Sequence, residues 1–103
     1  MAQLPAKPTL ADWQTFVKEM VAEKRFATDP NEVFVLFAEE VGELAKELRK
    51  RWTLGADGVR DTAPGELADV FMYLLDLANH FDADLEKAVR DKVAANANRK
   101  WKY

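Results

Sequence analysis

Helical periodicity restarts four times along this chain, and each restart follows proline, aspartate or threonine in a short polar break. That pattern commits it to an all-α fold built from four short amphipathic helices. Thr9 can cap a first helix running to about Phe26, with Asp12 placing an acid in its first turn. Asp29 followed by Pro30 opens a second, to about Arg51, because proline suits the first helical position and lacks a donor that would be orphaned there. Pro64 restarts a third that lasts to Phe81, and Asp82 or Ala83 begins the fourth, which carries Leu85, Val89 and Val93 on one side. Between the second and third, Trp52 to Ala63 holds Gly55, Asp57, Gly58 and Asp61 without sustained period, a loop long enough to suggest a functional role.

Apolar stripes set the expected packing. Phe37, Val41, Leu44 and Leu48 follow the i, i+4, i+7, i+11 rule on the second helix, and Leu67, Phe71, Leu74 and Ala78 repeat it on the third. Both stripes are expected to face inward. The third helix adds Val70, Met72, Tyr73, Leu75 and Leu77, so its apolar surface wraps beyond one stripe and should be covered on more than one side. A 103-residue chain has little left over to cover it, which predicts a homo-oligomer.

Residues 1–103 fit one domain, with 1–8 a flexible N-terminal segment. The 18 acidic and 15 basic residues are mixed along the chain, leaving no broad positive field for a nucleic-acid polymer. The absence of cysteine excludes disulfides, thiolate zinc sites and cysteine nucleophiles. The opening segment lacks the apolar run of a signal peptide or membrane span, so the expected location is cytoplasmic, away from the membrane.

Chemistry concentrates in acids. Residues three apart differ by roughly 60° around a helix, so Glu40 and Glu43 project from one flank of the second helix, as do Glu66 and Asp69 on the third. If the two helices are antiparallel neighbours, four carboxylates converge, and like charges at that density need a cation. Oxygen-only donors point to Mg2+, with Mn2+ as a possible substitute, and away from zinc or copper. The lone His80 supplies no Glu-x-x-His arrangement of the di-iron kind; at the end of its helix it suits the negative end of the dipole. Taken singly, each acid is more simply a solvated surface group; two such pairs beside apolar stripes on consecutive helices are harder to read that way. Glu39 lies further round, as a support for the metal, a ligand to a second one, or an exposed acid.

The run Leu36-Phe37-Ala38-Glu39-Glu40-Val41-Gly42-Glu43-Leu44, then Glu66-Leu67-Ala68-Asp69-Val70, resembles the MazG-like branch of the all-α nucleoside triphosphate pyrophosphohydrolases. That family carries Glu-Glu-x-x-Glu, a variable gap, here 22 residues, and Glu-x-x-Asp. Lys92-x-x-x-Asn96-x-x-Arg99 is similar to its last helix, and the resemblance covers most of the chain from Leu10 onward. It implies a four-helix bundle completed by oligomerisation as a dimer or tetramer. It also implies Mg2+-dependent hydrolysis of a (deoxy)nucleoside triphosphate to monophosphate and pyrophosphate, a nucleotide-pool house-cleaning reaction.

On that resemblance Glu40, Glu43, Glu66 and Asp69 are metal ligands, and Lys92, Asn96 and Arg99 contact substrate. Glu39 or one of the four ligands, Glu40 among them, would orient the attacking water. A base needs an aromatic or apolar slot, for which Trp13, Phe16, Phe26 and Trp52 are candidates, Trp52 foremost because it joins the metal-bearing helix to the loop. The basic residues Lys46, Arg49, Lys50 and Arg51 fit pairing with Glu43 and Glu47 better than substrate contact. Phosphoribosyl-ATP pyrophosphohydrolase shares the fold and acidic pattern, and a non-catalytic helical interaction module is the alternative from another class.

Overall fold

The computed structural model describes residues 2–26, 28–54 and 62–98. Among these residues the chain is all-helical: α1 (Leu10–Lys24), α2 (Pro30–Leu54), α3 (Ala63–His80) and α4 (Leu85–Ala97). Much of the expected loop, with Gly55, Asp57, Gly58 and Asp61, lies outside the described residues, as does Arg99.

Helix boundaries follow local hydrogen bonding. Thr9 caps α1 reciprocally: its Oγ1 accepts from the Asp12 N–H at 3.1 Å while its own N–H donates to Asp12 Oδ2 at 2.9 Å. At the start of α2, Asp29 Oδ1 accepts from the Asn31 N–H at 2.9 Å, and Pro30 takes the first position. Both α1 and α3 end in a left-handed residue, Arg25 (φ 55°) and Asp82 (φ 51°). The following residue closes the end: the Phe26 N–H donates to Val21 O at 3.1 Å, and the Ala83 N–H to Ala78 O at 2.9 Å. These turns correct two expected boundaries. Phe26 lies past the end of α1, and α4 starts at Leu85 with Asp84 as its cap, because Asp82 and Ala83 are spent on closing α3.

α3 is the central element, packed on α2 along one side and α1 along the other, while α4 lies on α1. α2 and α3 run antiparallel: Glu47 Oε2 accepts from the Thr62 hydroxyl at 2.8 Å, and one to two turns away Glu40 meets Glu66 and Asp69. Lys50 also donates to Glu47 at 3.1 Å, so this nearly buried carboxylate spans the α2–α3 connection and lies below its ordinary pKa, chiefly through the Thr62 bond. On the other flank the buried Gln14 ties α1 to the α3–α4 corner. Its Nε2 donates to Ala83 O at 2.7 Å and to Asn79 Oδ1 at 3.3 Å, and its Oε1 accepts from the Leu85 N–H at 3.0 Å. Asn79 Nδ2 answers by donating to Gln14 O at 2.9 Å.

The buried apolar core is small: Val17, Val33, Leu75 and Ala78. The expected inward stripes are corrected here. Val41, Leu48, Leu67, Phe71 and Leu74 are exposed, and of the eight stripe residues only Ala78 is buried. At about 100° per residue, the inward face of α2 (Val33, Leu36, Glu40, Leu44, Glu47) is rotated by about 70° from the stripe centred near Val41 and Leu48. α3 is apolar almost all round, so its period alone does not say which side meets its neighbours, and α1 and α2 cover the side away from Leu67 and Phe71.

Candidate functional site

Glu40 sits on the inward face of α2, and Glu66 and Asp69 on the facing side of α3, three residues apart. Glu40, Glu66 and Asp69 are half-buried, and one carboxylate oxygen from each lies within 4.8 Å of the others. The crowding shows in Glu40: burial, and then the charges of Asp69, Glu66, Glu43 and Glu39, push its carboxyl above its ordinary pKa. Each negative charge added beside it disfavours ionisation, and a cation would reverse that sign.

The donor set fits a hard divalent ion. Oxygens on opposite sides of magnesium stand about 4.2 Å apart, twice a bond of about 2.1 Å. Small side-chain rotations therefore bring the three oxygens onto one ion, with water filling the remaining positions. These residues could hold a metal. Among the described residues no other group of His, Asp or Glu meets the same test.

Glu43, expected as a fourth ligand, stands outside the group. Its side chain is exposed, and it acts on Glu40 through charge alone. Glu39 is likewise exposed beside the triad. Trp52 is 82% exposed at the far end of α2, twelve residues or about 18 Å along the axis from Glu40. Lys92 is exposed and Asn96 half-buried on α4, which packs on α1, so this chain does not bring them to its own triad.

Beside the triad lies a cavity of about 280 Å³ enclosed by α1, α2 and α3. Its walls are mostly apolar, with Val17, Met20 and Val21 from α1, Val33 and Leu36 from α2, and Met72 from α3. Of the four aromatic residues singled out in the sequence, Phe26 alone lines it; Trp13 and Phe16 instead pack edge to face on each other with centroids 6.0 Å apart. The left-handed turn at Arg25 is what carries Phe26 back over the cavity.

Glu40 and Asp69 line both cavity and triad, so the two form one site. Tyr73 and Asp76 complete the lining, and sequence reasoning passed over both. Tyr73 belongs to the apolar wrap of α3, yet its hydroxyl is raised above its ordinary pKa by burial and then by Glu40, Asp69, Asp76 and Glu39, so it stays a proton donor at neutral pH. Asp76 is 8% exposed, with His80 Nε2 3.5 Å from its Oδ1. Burial raises its carboxyl above the ordinary value, and the neighbouring His80 opposes that rise. The available signal was spacing: Asp69, Tyr73 and Asp76 at i, i+4 and i+7 share one helix face.

No helix among the described residues is long and apolar enough to cross a membrane. No model of a known protein family matches the chain, and a comparison with curated proteins finds no match either.

Proposed function

We propose that this chain is a Mg2+-dependent nucleoside triphosphate pyrophosphohydrolase of the MazG-like kind, with Mn2+ as a possible substitute. The observation that carries the reading is the continuity of three converging carboxylates with an apolar cavity of about 280 Å³, near the small end of ligand pockets. A triphosphate reaches a protein as a metal complex, and a cleft with carboxylates at one end and apolar walls at the other suits a molecule that is charged at one end and presents flat ring faces at the other.

A divalent ion held by Glu40, Glu66 and Asp69 would supply charge neutralisation for the phosphate oxygens and would acidify a nearby water. The cavity walls take the nucleoside, exclude water from it, and so fix where the triphosphate lies. The Tyr73 hydroxyl, protonated and flanked by Glu40 and Asp69, is placed to donate to a sugar or phosphate oxygen. In hydrolysis a water oxygen bonds to the α-phosphorus, the α–β bridge breaks, and pyrophosphate leaves with the bonding pair. The proton of that water passes to a carboxylate, either Glu39, exposed beside the triad, or one of the metal-holding acids.

The working form in this reading is a homo-oligomer, dimer or tetramer. The exposed Val41, Leu48, Leu67, Phe71 and Leu74 are more apolar surface than a helix pair leaves bare without reason, and the small core of one chain does not draw on them. A second copy covers this surface, and in the assembled form Lys92 and Asn96 can serve a neighbour's triphosphate.

The test is a panel of ribo- and deoxynucleoside triphosphates with Mg2+ or Mn2+, analysed for pyrophosphate and phosphate. Pyrophosphate release that stops on chelation and in Asp69→Ala is expected. If no triphosphate yields pyrophosphate, and calorimetry finds no Mn2+ binding that Asp69→Ala removes, the reading fails in favour of a non-catalytic helical module.

A further inference from the structure

One buried ionisable group has no part in that scheme. Asp76 lines the cavity seven residues after Asp69, two turns along α3 and about 10 Å further along the axis, on nearly the same helix face. The polar lining of the cavity therefore extends over two turns of α3, with Asp69 beside Glu40 at the triad, Tyr73 between and Asp76 beyond, and with Val17, Met20, Val21 and Leu36 among the walls. That separation is comparable with the span from the phosphates of an extended nucleotide to the far edge of its base.

A carboxylate set in such walls costs stability unless something answers it. Burial raises the Asp76 carboxyl above the ordinary value, and His80, with Nε2 3.5 Å from Oδ1 on the second, smaller cavity that Asp76 also borders, opposes that rise. An ionised carboxylate is acceptor-only. Facing a base edge, it accepts from an exocyclic amine or from paired ring and amine N–H groups, as carboxylates accept from the amino group of cytosine. Uracil and thymine offer a single ring N–H flanked by two carbonyl oxygens, which would sit against the carboxylate and repel it.

Resting on the pyrophosphohydrolase reading, we infer that Asp76 is the base-selecting residue of this site and that it favours nucleotides whose base carries an exocyclic amine over those of uracil and thymine. It acts on binding, remote from the reacting phosphorus, so its effect falls on KM and leaves kcat nearly unchanged.

The experiment measures kcat and KM for CTP, GTP, ATP, UTP and dTTP with Mg2+, alongside calorimetric binding of CMP and UMP, on the full chain and on Asp76→Asn. The asparagine is isosteric and offers both a donor and an acceptor. Wild type should favour at least one amine-bearing base over UTP and dTTP by about tenfold or more in kcat/KM, and Asp76→Asn should shrink that ratio through KM. A wild-type preference for uracil or thymine overturns the inference whether or not the variant folds, as does a ratio that the variant leaves unchanged. If no triphosphate is hydrolysed but CMP binds more tightly than UMP and Asp76→Asn erases the difference, the hydrolase reading falls while the role of Asp76 in base selection stands. If neither monophosphate binds and nothing is hydrolysed, both fall.

Discussion

Replacing Glu40 with glutamine should make the metal-free protein more stable and the metal-loaded protein less so. Glu40 faces Glu66 and Asp69 with ligand oxygens within 4.8 Å. At that distance two full charges repel by about 0.9 kcal/mol in water and about 3.5 kcal/mol at an effective dielectric of 20. The triad is half-buried and open to solvent screening, so the lower figure governs, and two partners give about 1–2 kcal/mol. The sign follows from the raised pKa of Glu40. Its contribution to stability is complete below its unfolded value and is lost as pH rises through the folded one, so the penalty is felt at neutral pH and vanishes in acid. In chelator at pH 7.5 and low salt, Glu40→Gln should melt several degrees above wild type, since about 1 kcal/mol moves a domain of this size by about 4–8 °C. At pH 4 the two should converge. Ligand at a hundred times its dissociation constant stabilises by about 2.7 kcal/mol, so saturating Mn2+ should raise wild type by that order and the variant by clearly less. Thermal unfolding by circular dichroism at both pH values, with chelator and with Mn2+, measures all four quantities. A variant no more stable than wild type in chelator at pH 7.5, or one that gains equally from Mn2+, would refute the claim that these carboxylates crowd one another around a cation site.

Other outcomes follow from features outside that cluster or at its edge. Gln14→Leu strips partners from the Ala83 carbonyl and the Leu85 N–H and should cost about 2–3 kcal/mol in urea unfolding, with Gln14→Glu, which keeps the acceptor, in between; a loss below about 0.5 kcal/mol would mean the α3–α4 corner does not depend on this amide. Arg25→Gly should gain about 0.5–1 kcal/mol, because glycine relieves the left-handed strain at φ 55° and returns part of that gain as unfolded-state entropy; a destabilised variant contradicts it. In Mn2+ titrations Asp69→Ala should abolish binding while Glu43→Ala weakens it a few-fold, through lost charge alone; equal losses would put Glu43 among the ligands.

The helix starts were legible because they are local. Thr9 with Asp12, and Asp29 with Pro30, act over three or four residues, so the sequence shows them directly. The convergence of Glu40 with Glu66 and Asp69 was legible too, since helical spacing puts each acidic pair on one flank and consecutive helices in a chain this small favour antiparallel packing. The packing face was not. Val41 and Leu48 make a better apolar stripe than Glu40 and Glu47 do, yet the chain turns the acids inward and leaves the stripe bare. Burial by α1 decides which side of α3 is covered, and no periodicity within α3 encodes the position of α1. The same ignorance hid the cavity, whose walls come from three helices, and with it Tyr73 and Asp76. Trp52 stands beside the loop in sequence, but the length of α2 carries it away from the acids.

Among the described residues, Phe26 is the only wall of the cavity that no helix holds. Its position depends on the left-handed turn at Arg25, whereas the carboxylates ride on two helices clamped together by Glu47 and Thr62. Insertions or exchanges in that short bend would change the width of the entrance and leave the charged end as it is. The shape of the cleft and the spacing of the acids can thus drift independently, so that descendants of one such ancestor could differ in what fits between the walls while keeping the same cluster of charge.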